Sequence, residues 1–206
     1  MIARPNFLPS ALIFVAALMV LFETLYFASL QPGYSHISKT ISELGETGAL
    51  HAHQVAFGFF LPVGLLVWLA LWLVHRQAPD RETSFILAAL SWLGTGYALS
   101  AFFPCDPGGP IFGTWRTLVH NVLGFIDYTG TGMGFLLTAR YLKRQNATTQ
   151  AIFFLIAGVL MFIGVGLLMD EGLFRIRGAV QRITEIIQFS GVFFACRQLP
   201  PRGEKV

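Results

Sequence analysis

The chain has 206 residues, of which 54% are hydrophobic and 12% charged, with a formal net charge of +3 and a mean hydropathy of +0.63. A soluble domain carries roughly 25% charged residues, so the composition excludes an ordinary soluble domain and reads as an integral membrane protein. The positive charge is scattered and forms no basic run, which excludes a nucleic-acid surface. The two cysteines, Cys105 and Cys196, give neither a zinc pattern nor a disulfide framework.

Read in order, the chain shows six largely apolar stretches of about 20 residues, the length that a ~30 Å hydrocarbon core demands. They predict spans at about 8–27, 55–74, 84–103, 118–142, 151–169 and 178–197. The first follows Arg4 as a signal peptide would. It outruns the ~7–15 residues of a typical signal core, and only Ala28-Ser29-Leu30 stands where an A-x-A site would be, so it reads as an uncleaved span. The sixth is interrupted by Gln181, Arg182, Glu185 and Gln188, but its second half, FSGVFFAC, is apolar. No linker or repeat divides the chain. The expectation is an all-α polytopic membrane protein, a single six-helix bundle over 1–206.

Lysine and arginine counts set the orientation. Arg4, Arg76, Arg81, Arg140, Lys143, Arg144, Arg197, Arg202 and Lys205 lie on the side of the termini, against Lys39, Arg116, Arg175, Arg177 and Arg182 on the other. Nine against five puts both termini in the cytoplasm and the two cysteines at opposite faces.

The three outer loops then hold the unusual residues. In the first, YSHISKTISELGETGALHAH, Ile37, Ile41 and Leu44 recur at helical spacing and Gly45 is a natural stop. This predicts a short amphipathic helix on the outer surface or folded over the mouth of the bundle. Thr40-x-x-Glu43 fits a capping box, and Ser35, Ser38 and Ser42 suit the same helix start better than a nucleophile. The second loop, FPCDPGGPIFGTW, is a turn shaped by proline and glycine, and the third, DEGLFRIRG, is short and charged.

The fourth span carries the clearest pattern. Thr117, His120, Gly124, Asp127 and Thr131 follow steps of three and four and share one helical face. A carboxylate facing lipid costs at least ~2.5 kcal/mol, so this face must look into protein or a wet cavity. Counting depth at ~1.5 Å per residue, Glu23, His120, Asp127, Arg182 and Glu185 gather in the outer half, while the cytoplasmic halves are apolar.

Asp127, Arg182 and Glu185 read either as a charged cluster that binds a headgroup, an ion or protons, or as an ion-pair network that fixes helix register. In the first reading Arg182 holds an anionic group, Asp127 and Glu185 orient it, and Gln181 and Glu43 complete the ligand site. His120, Asp127 and Asp106 are the catalytic candidates, and His51, His53 and His120 the metal candidates, although no His-x3-His spacing occurs. Cys105 beside Asp106 reads as a turn residue, and the glycines of GTGTGMG read as packing residues.

The SHIS-x3-SELG segment (Ser35–Gly45), the FPCDPG turn (Phe103–Gly108), His120-Asn121 and Gln181-Arg182 together resemble the DUF998 family of bacterial and archaeal multi-pass membrane proteins of unknown function. The resemblance implies a compact six-helix domain in a prokaryotic cell membrane and brings no activity or cofactor. The expected function is a polar, charged pocket in the outer half that binds a polar or lipid-like ligand. The alternatives are a membrane-embedded metal-dependent hydrolase or transferase and a structural accessory protein.

Overall fold

The computed structural model describes residues 7–77 and 80–199. Arg4, Arg202 and Lys205, which enter the charge count, lie outside the described residues. Six helical rods and no strand make up what is described. They are α1 (Phe7–Leu30), α2 (Ala52–His75), a rod in two segments, α3 (Arg81–Leu90) and α4 (Trp92–Ser100), then α5 (Trp115–Arg144), α6 (Thr148–Leu168) and α7 (Arg177–Gln198).

Three of them, α1, α2 and α6, are long and apolar enough to cross a membrane. They bury apolar residues on one side and expose them on the other. On α1, Ile13, Ala16, Val20 and Phe27 are buried while Phe14, Phe22 and Leu25 are exposed. A helix apolar all round belongs in a large core or in lipid. The outward faces of Leu65, Trp72, Ile152 and Ile156 make the same case for α2 and α6.

Local chemistry explains where the helices bend and end. Pro62 has no N–H to donate to the preceding turn, and α2 widens to a π-helical turn over Val55–Phe60 before it. Asp80 caps α3 by accepting the Thr83 N–H at 2.9 Å. Ser91 separates α3 from α4, where its carbonyl accepts the Thr95 N–H (3.0 Å) and hydroxyl (3.0 Å). At the end of α5, Asn146 adopts a left-handed φ of 60°. There the Asn146 and Ala147 N–H groups turn back to the Lys143 and Leu142 carbonyls at 3.2 and 3.0 Å, as a helix C-terminus requires.

The rods close a ring in chain order. α1 packs on α2, α2 on α4, α4 on α5, α5 on α6, α6 on α7, and α7 returns to α1, while α3 rests on α5. Small residues set the spacing. In GTGTGMG, Gly130 faces Trp92, Gly132 faces Met161 and Gly134 faces Leu90, so this run is packing surface.

The first loop differs from the expected helix. Residues 35–39 form a turn closed by the Lys39 N–H to the Ser35 carbonyl (2.8 Å), and only Ile41–Gly45 is helical, as one 3-10 turn. Ile41, Glu43, Leu44 and Gly45 are buried while Ile37 is exposed. The segment is therefore a plug pressed into the end of the ring.

The glycine contacts give a test. A Cβ on Gly64 would stand 2.6 Å from the Ala98 nitrogen and the Gly94 oxygen, whereas one on Gly166 meets nothing within 4 Å. Gly64→Ala should lower the stability of detergent-purified protein by about 1–3 kcal/mol, the usual cost of overpacking, and Gly166→Ala should leave it nearly unchanged. Thermal melts of the two variants beside wild type check this.

Candidate functional site

The inner face of α7 organises the site. Arg177, Gln181, Glu185 and Gln188 follow steps of four, four and three, so all four project to one side, and all are buried. Arg182 is one position off this series and points elsewhere.

Arg177 meets Glu43 of the plug. Its Nη2 donates to Glu43 Oε1 at 2.8 Å. The same oxygen accepts the Thr40 N–H at 2.7 Å, the backward half of a capping box. Arg177 also donates to two carbonyls of the second loop, Gly109 O (2.8 Å) and Gly108 O. Those carbonyls converge because Gly108 and Gly109 hold φ values of +80° and +50°, which glycine adopts without a steric penalty. The Phe174 ring lies 4.4 Å from the guanidinium carbon. One arginine thus joins α7 to two loops, yet its Nε finds no acceptor.

Below it runs a hydrogen-bonded chain. Gln181 Oε1 accepts the Ile41 N–H at 2.6 Å, and its Nε2 donates to the Tyr128 hydroxyl at 3.3 Å. Tyr128 donates to Glu185 Oε1 at 2.7 Å, and Tyr97 donates to Glu185 Oε2 at 2.9 Å. Deeper still, Gln188 Nε2 donates to Asp127 Oδ1 at 2.5 Å and to the Thr131 hydroxyl at 3.0 Å. Gly96 lets α4 lie against Asp127, since a Cβ there would stand 2.7 Å from the Asp127 Cβ.

His120 sits on the opposite wall, buried, with Nδ1 2.8 Å from the Phe103 carbonyl. A carbonyl only accepts, so Nδ1 carries the hydrogen and Nε2 keeps a lone pair. Its neighbour Asn121 donates to the Pro110 and Ile111 carbonyls at 3.0 and 2.8 Å. Between these walls lie two cavities, one of about 120 Å³ reaching Arg177 and Asn121, and one of about 50 Å³ reaching Asp127 and Glu185. Ser42, His120, Gly124, Tyr128 and Gln181 line both, so the two are adjoining compartments, together the chamber, beneath the plug.

Four of the residues singled out from the sequence therefore meet around the chamber or at its roof: His120, Asp127, Gln181 and Glu185, with Glu43 holding Arg177. The expected joining of Arg182 to Asp127 and Glu185 is not what the structure brings together. Among the described residues the ion pairs are Glu43–Arg177 and Glu82–Arg144. Arg182 instead clamps the first loop, donating from Nη1 to the His36, Lys39 and Gly178 carbonyls, each at 2.9 Å. Its Nη2 reaches the Tyr34 hydroxyl at 2.8 Å and His36 Nδ1 at 3.1 Å. Depth along the helix is right for Arg182 and direction is wrong.

Asp106 lies outside the chamber. Its carboxylate accepts the Thr114 N–H (2.7 Å) and hydroxyl (3.0 Å), and its own N–H donates to Thr117 (2.8 Å). The Thr114 N–H and the Thr117 hydroxyl hold its carboxyl below the usual carboxylate range, as befits a residue that shapes a turn. Beside it Cys105 is buried against the Ser42 carbonyl, and burial pushes its thiol up to about 12, which leaves it unreactive. His51 and His53 pack near Phe27 and Phe57 and do not join His120 around the chamber. No group of three His, Cys, Asp or Glu side chains that could hold a metal ion occurs among the described residues. Glu23 is partly exposed on α1 and lines neither cavity.

Arg177, Tyr97 and Tyr128 are the residues that sequence reasoning missed, Arg177 having counted only toward orientation. The spacing of four between Arg177 and Gln181 was the available signal.

An all-helical chain with three apolar helices of membrane length and a buried polar layer has the make-up of a helical membrane protein. It belongs to the DUF998 family, whose model, described as a protein of unknown function, matches residues 13–198. No curated protein and no solved structure matches the chain.

Breaking a buried ion pair by removing one partner typically costs about 3–5 kcal/mol. Glu43→Gln and Arg177→Gln should each destabilise by about that much. The double variant should lose distinctly less than the sum, because neither charge is then left alone. A double-mutant cycle from denaturation in detergent measures the coupling, and simple additivity would mean the two side chains do not act together.

Proposed function

We propose that the chain is a six-span membrane protein that binds a small polar molecule, or the polar end of a lipid-like one, in the chamber at the outer end of its ring. The α3–α4 rod is broken at Ser91 into helices of 10 and 9 residues, and α5 and α7 carry polar residues that turn inward, where neighbouring rods supply partners. At ~1.5 Å per residue each is still long enough for a ~30 Å core. The positive charge bias supports cytoplasmic termini and an outward chamber in a prokaryotic cell membrane.

The observation that carries the ligand reading is Arg177, whose side chain lines the larger of the two cavities and whose buried Nε has no acceptor. An unsatisfied buried donor costs about 1–3 kcal/mol, more for a charged group, and a ligand oxygen placed there recovers that cost. The Arg177 charge is already matched by Glu43, so a neutral molecule rich in oxygen acceptors, or a headgroup, suits the site better than a free polyanion. Tyr128, Gln181 and His120 supply both donors and acceptors around it.

A second reading rests on His120. With Nδ1 held by the Phe103 carbonyl, a lone pair on Nε2 at the chamber wall is the arrangement of a general base, and a hydrolase or transferase would use it so. The metal-dependent form of that reading draws no support from the described side chains. The accessory reading treats the whole layer as scaffold.

Gly124 separates these readings. It lines both cavities, and a Cβ there meets nothing within 4 Å, so a leucine at this position starts into open space and Gly124→Leu fills the chamber. Mass spectrometry of small molecules released from detergent-purified protein should find a polar compound with wild type and at least tenfold less with Gly124→Leu, while the two melt within a few degrees of each other. A folded variant that carries the same bound molecules as wild type would sink the chamber reading in favour of the scaffold.

A further inference from the structure

Outside the chamber, a groove of about 300 Å³ runs between α1 and α7. That lies at the lower end of the range for ligand-binding clefts, ~300–1,000 Å³. Its walls are Val20, Leu21 and Leu25 on one helix and Ile186 and Phe189 on the other. At one end stand Arg182 and His36. Ile41 and Glu185 line both this groove and the smaller cavity, so the groove abuts the chamber wall.

Two observations say what the groove takes. The Arg182 guanidinium is held by three carbonyls, a tyrosine hydroxyl and a histidine nitrogen, none of them an anion. Glu185, three residues along α7, lines the same groove and feels the Arg182 charge without forming an ion pair with it, so the guanidinium is oriented and has no carboxylate in direct contact. Arginine has no lone pair to offer, so His36 Nδ1 is the acceptor in their contact, and the His36 hydrogen resides on Nε2 as a further donor. Burial and the Arg182 charge hold His36 below the usual histidine range, which keeps that tautomer neutral. Independently, the Thr24 hydroxyl lines the groove, is buried, and has no hydrogen-bond partner. A cation and the His36 donor at one end of an apolar trough, with the Thr24 hydroxyl along its wall, match an acyl chain with an anionic head.

We infer that the α1–α7 groove is a binding site for an anionic phospholipid of the surrounding leaflet. One acyl chain lies along Val20, Leu21, Leu25, Ile186 and Phe189, and the phosphate rests on Arg182 and His36. Leu21 and Ile186 are 52% and 67% exposed on the outside of the ring, so the lipid enters sideways from the bilayer with no opening of the plug. The site stands whatever fills the chamber.

The test uses the full chain in vesicles doped with phosphatidylglycerol carrying a photoactivatable diazirine in its acyl chain, beside vesicles with phosphatidylcholine so labelled. Peptide mapping should place crosslinks on the α1 and α7 groove residues at several times the density found on the exposed apolar face of α6. Phosphatidylglycerol should outdo phosphatidylcholine at the groove alone. Leu25→Trp, which fills the trough at a residue that takes no part in the Arg182 hydrogen bonds, should cut groove labelling by at least fivefold while leaving α6 labelling unchanged, and Arg182→Gln should remove the headgroup preference. Because Arg182 also holds the first loop, Leu25→Trp decides the matter if Arg182→Gln fails to fold. Groove labelling no denser than on α6, or insensitive to Leu25→Trp, would reduce the site to ordinary boundary lipid and overturn the inference. Dense labelling with no preference for phosphatidylglycerol would overturn the anionic assignment.

Discussion

The Glu43–Arg177 pair is the contact on which the loop-bearing end of the ring depends. Lipid offers no hydrogen bonds, so the polar groups of a helical membrane protein find most of their partners inside the protein. Arg177 draws in two loop segments that lack long helices of their own, the plug through Glu43 and the second turn through the Gly108 and Gly109 carbonyls. With those in place, Gln181 can accept the Ile41 N–H and pass the network on to Tyr128 and Glu185. The lower network lies beneath a roof that this pair holds down.

Two arginines on neighbouring faces of one helix divide the work. Arg177 turns into the ring and meets a carboxylate, so its charge is neutralised in place. Arg182 turns toward α1 and meets carbonyls, which fix its direction but leave its charge available. Gly178 lies between them in sequence, and a Cβ there would come within 2.8 Å of the His36 oxygen. The first loop can settle onto α7 only because that position has no side chain. One short stretch of helix thereby borders both the chamber and the lateral groove.

Much of this was legible in the sequence, for physical reasons that can be named. Apolar runs of span length mark α1, α2 and α6 because lipid tolerates nothing else, and the three-four spacing of His120, Gly124 and Asp127 puts them on the inward face of α5. The capping relation of Thr40 and Glu43 follows from local chemistry and is present. What stayed hidden needed direction around an axis or a partner distant in sequence. Arg182 has the right depth but lies about 100° from Gln181, so it leaves the chamber to Arg177. The first loop has helical spacing at Ile37, Ile41 and Leu44, yet the turn at 35–39 and the pull of Arg177 on Glu43 shorten it to one 3-10 turn. The interruption at Ser91 has no signal in an apolar count, and the role of Asp106 as a turn clasp depends on Thr114 and Thr117 folding back onto it.

Hydrogen exchange of the full chain in detergent or nanodiscs, followed by mass spectrometry over residues 35–47, asks whether the plug is part of the core. Thr40 N–H is bonded to Glu43 and Ile41 N–H to Gln181, so these amides should exchange as slowly as those in the middle of α2. In Arg177→Gln their exchange should quicken by at least an order of magnitude. Exchange in the wild type at the rate of an unstructured chain would contradict the hold of Arg177 on the plug and leave the chamber without a roof.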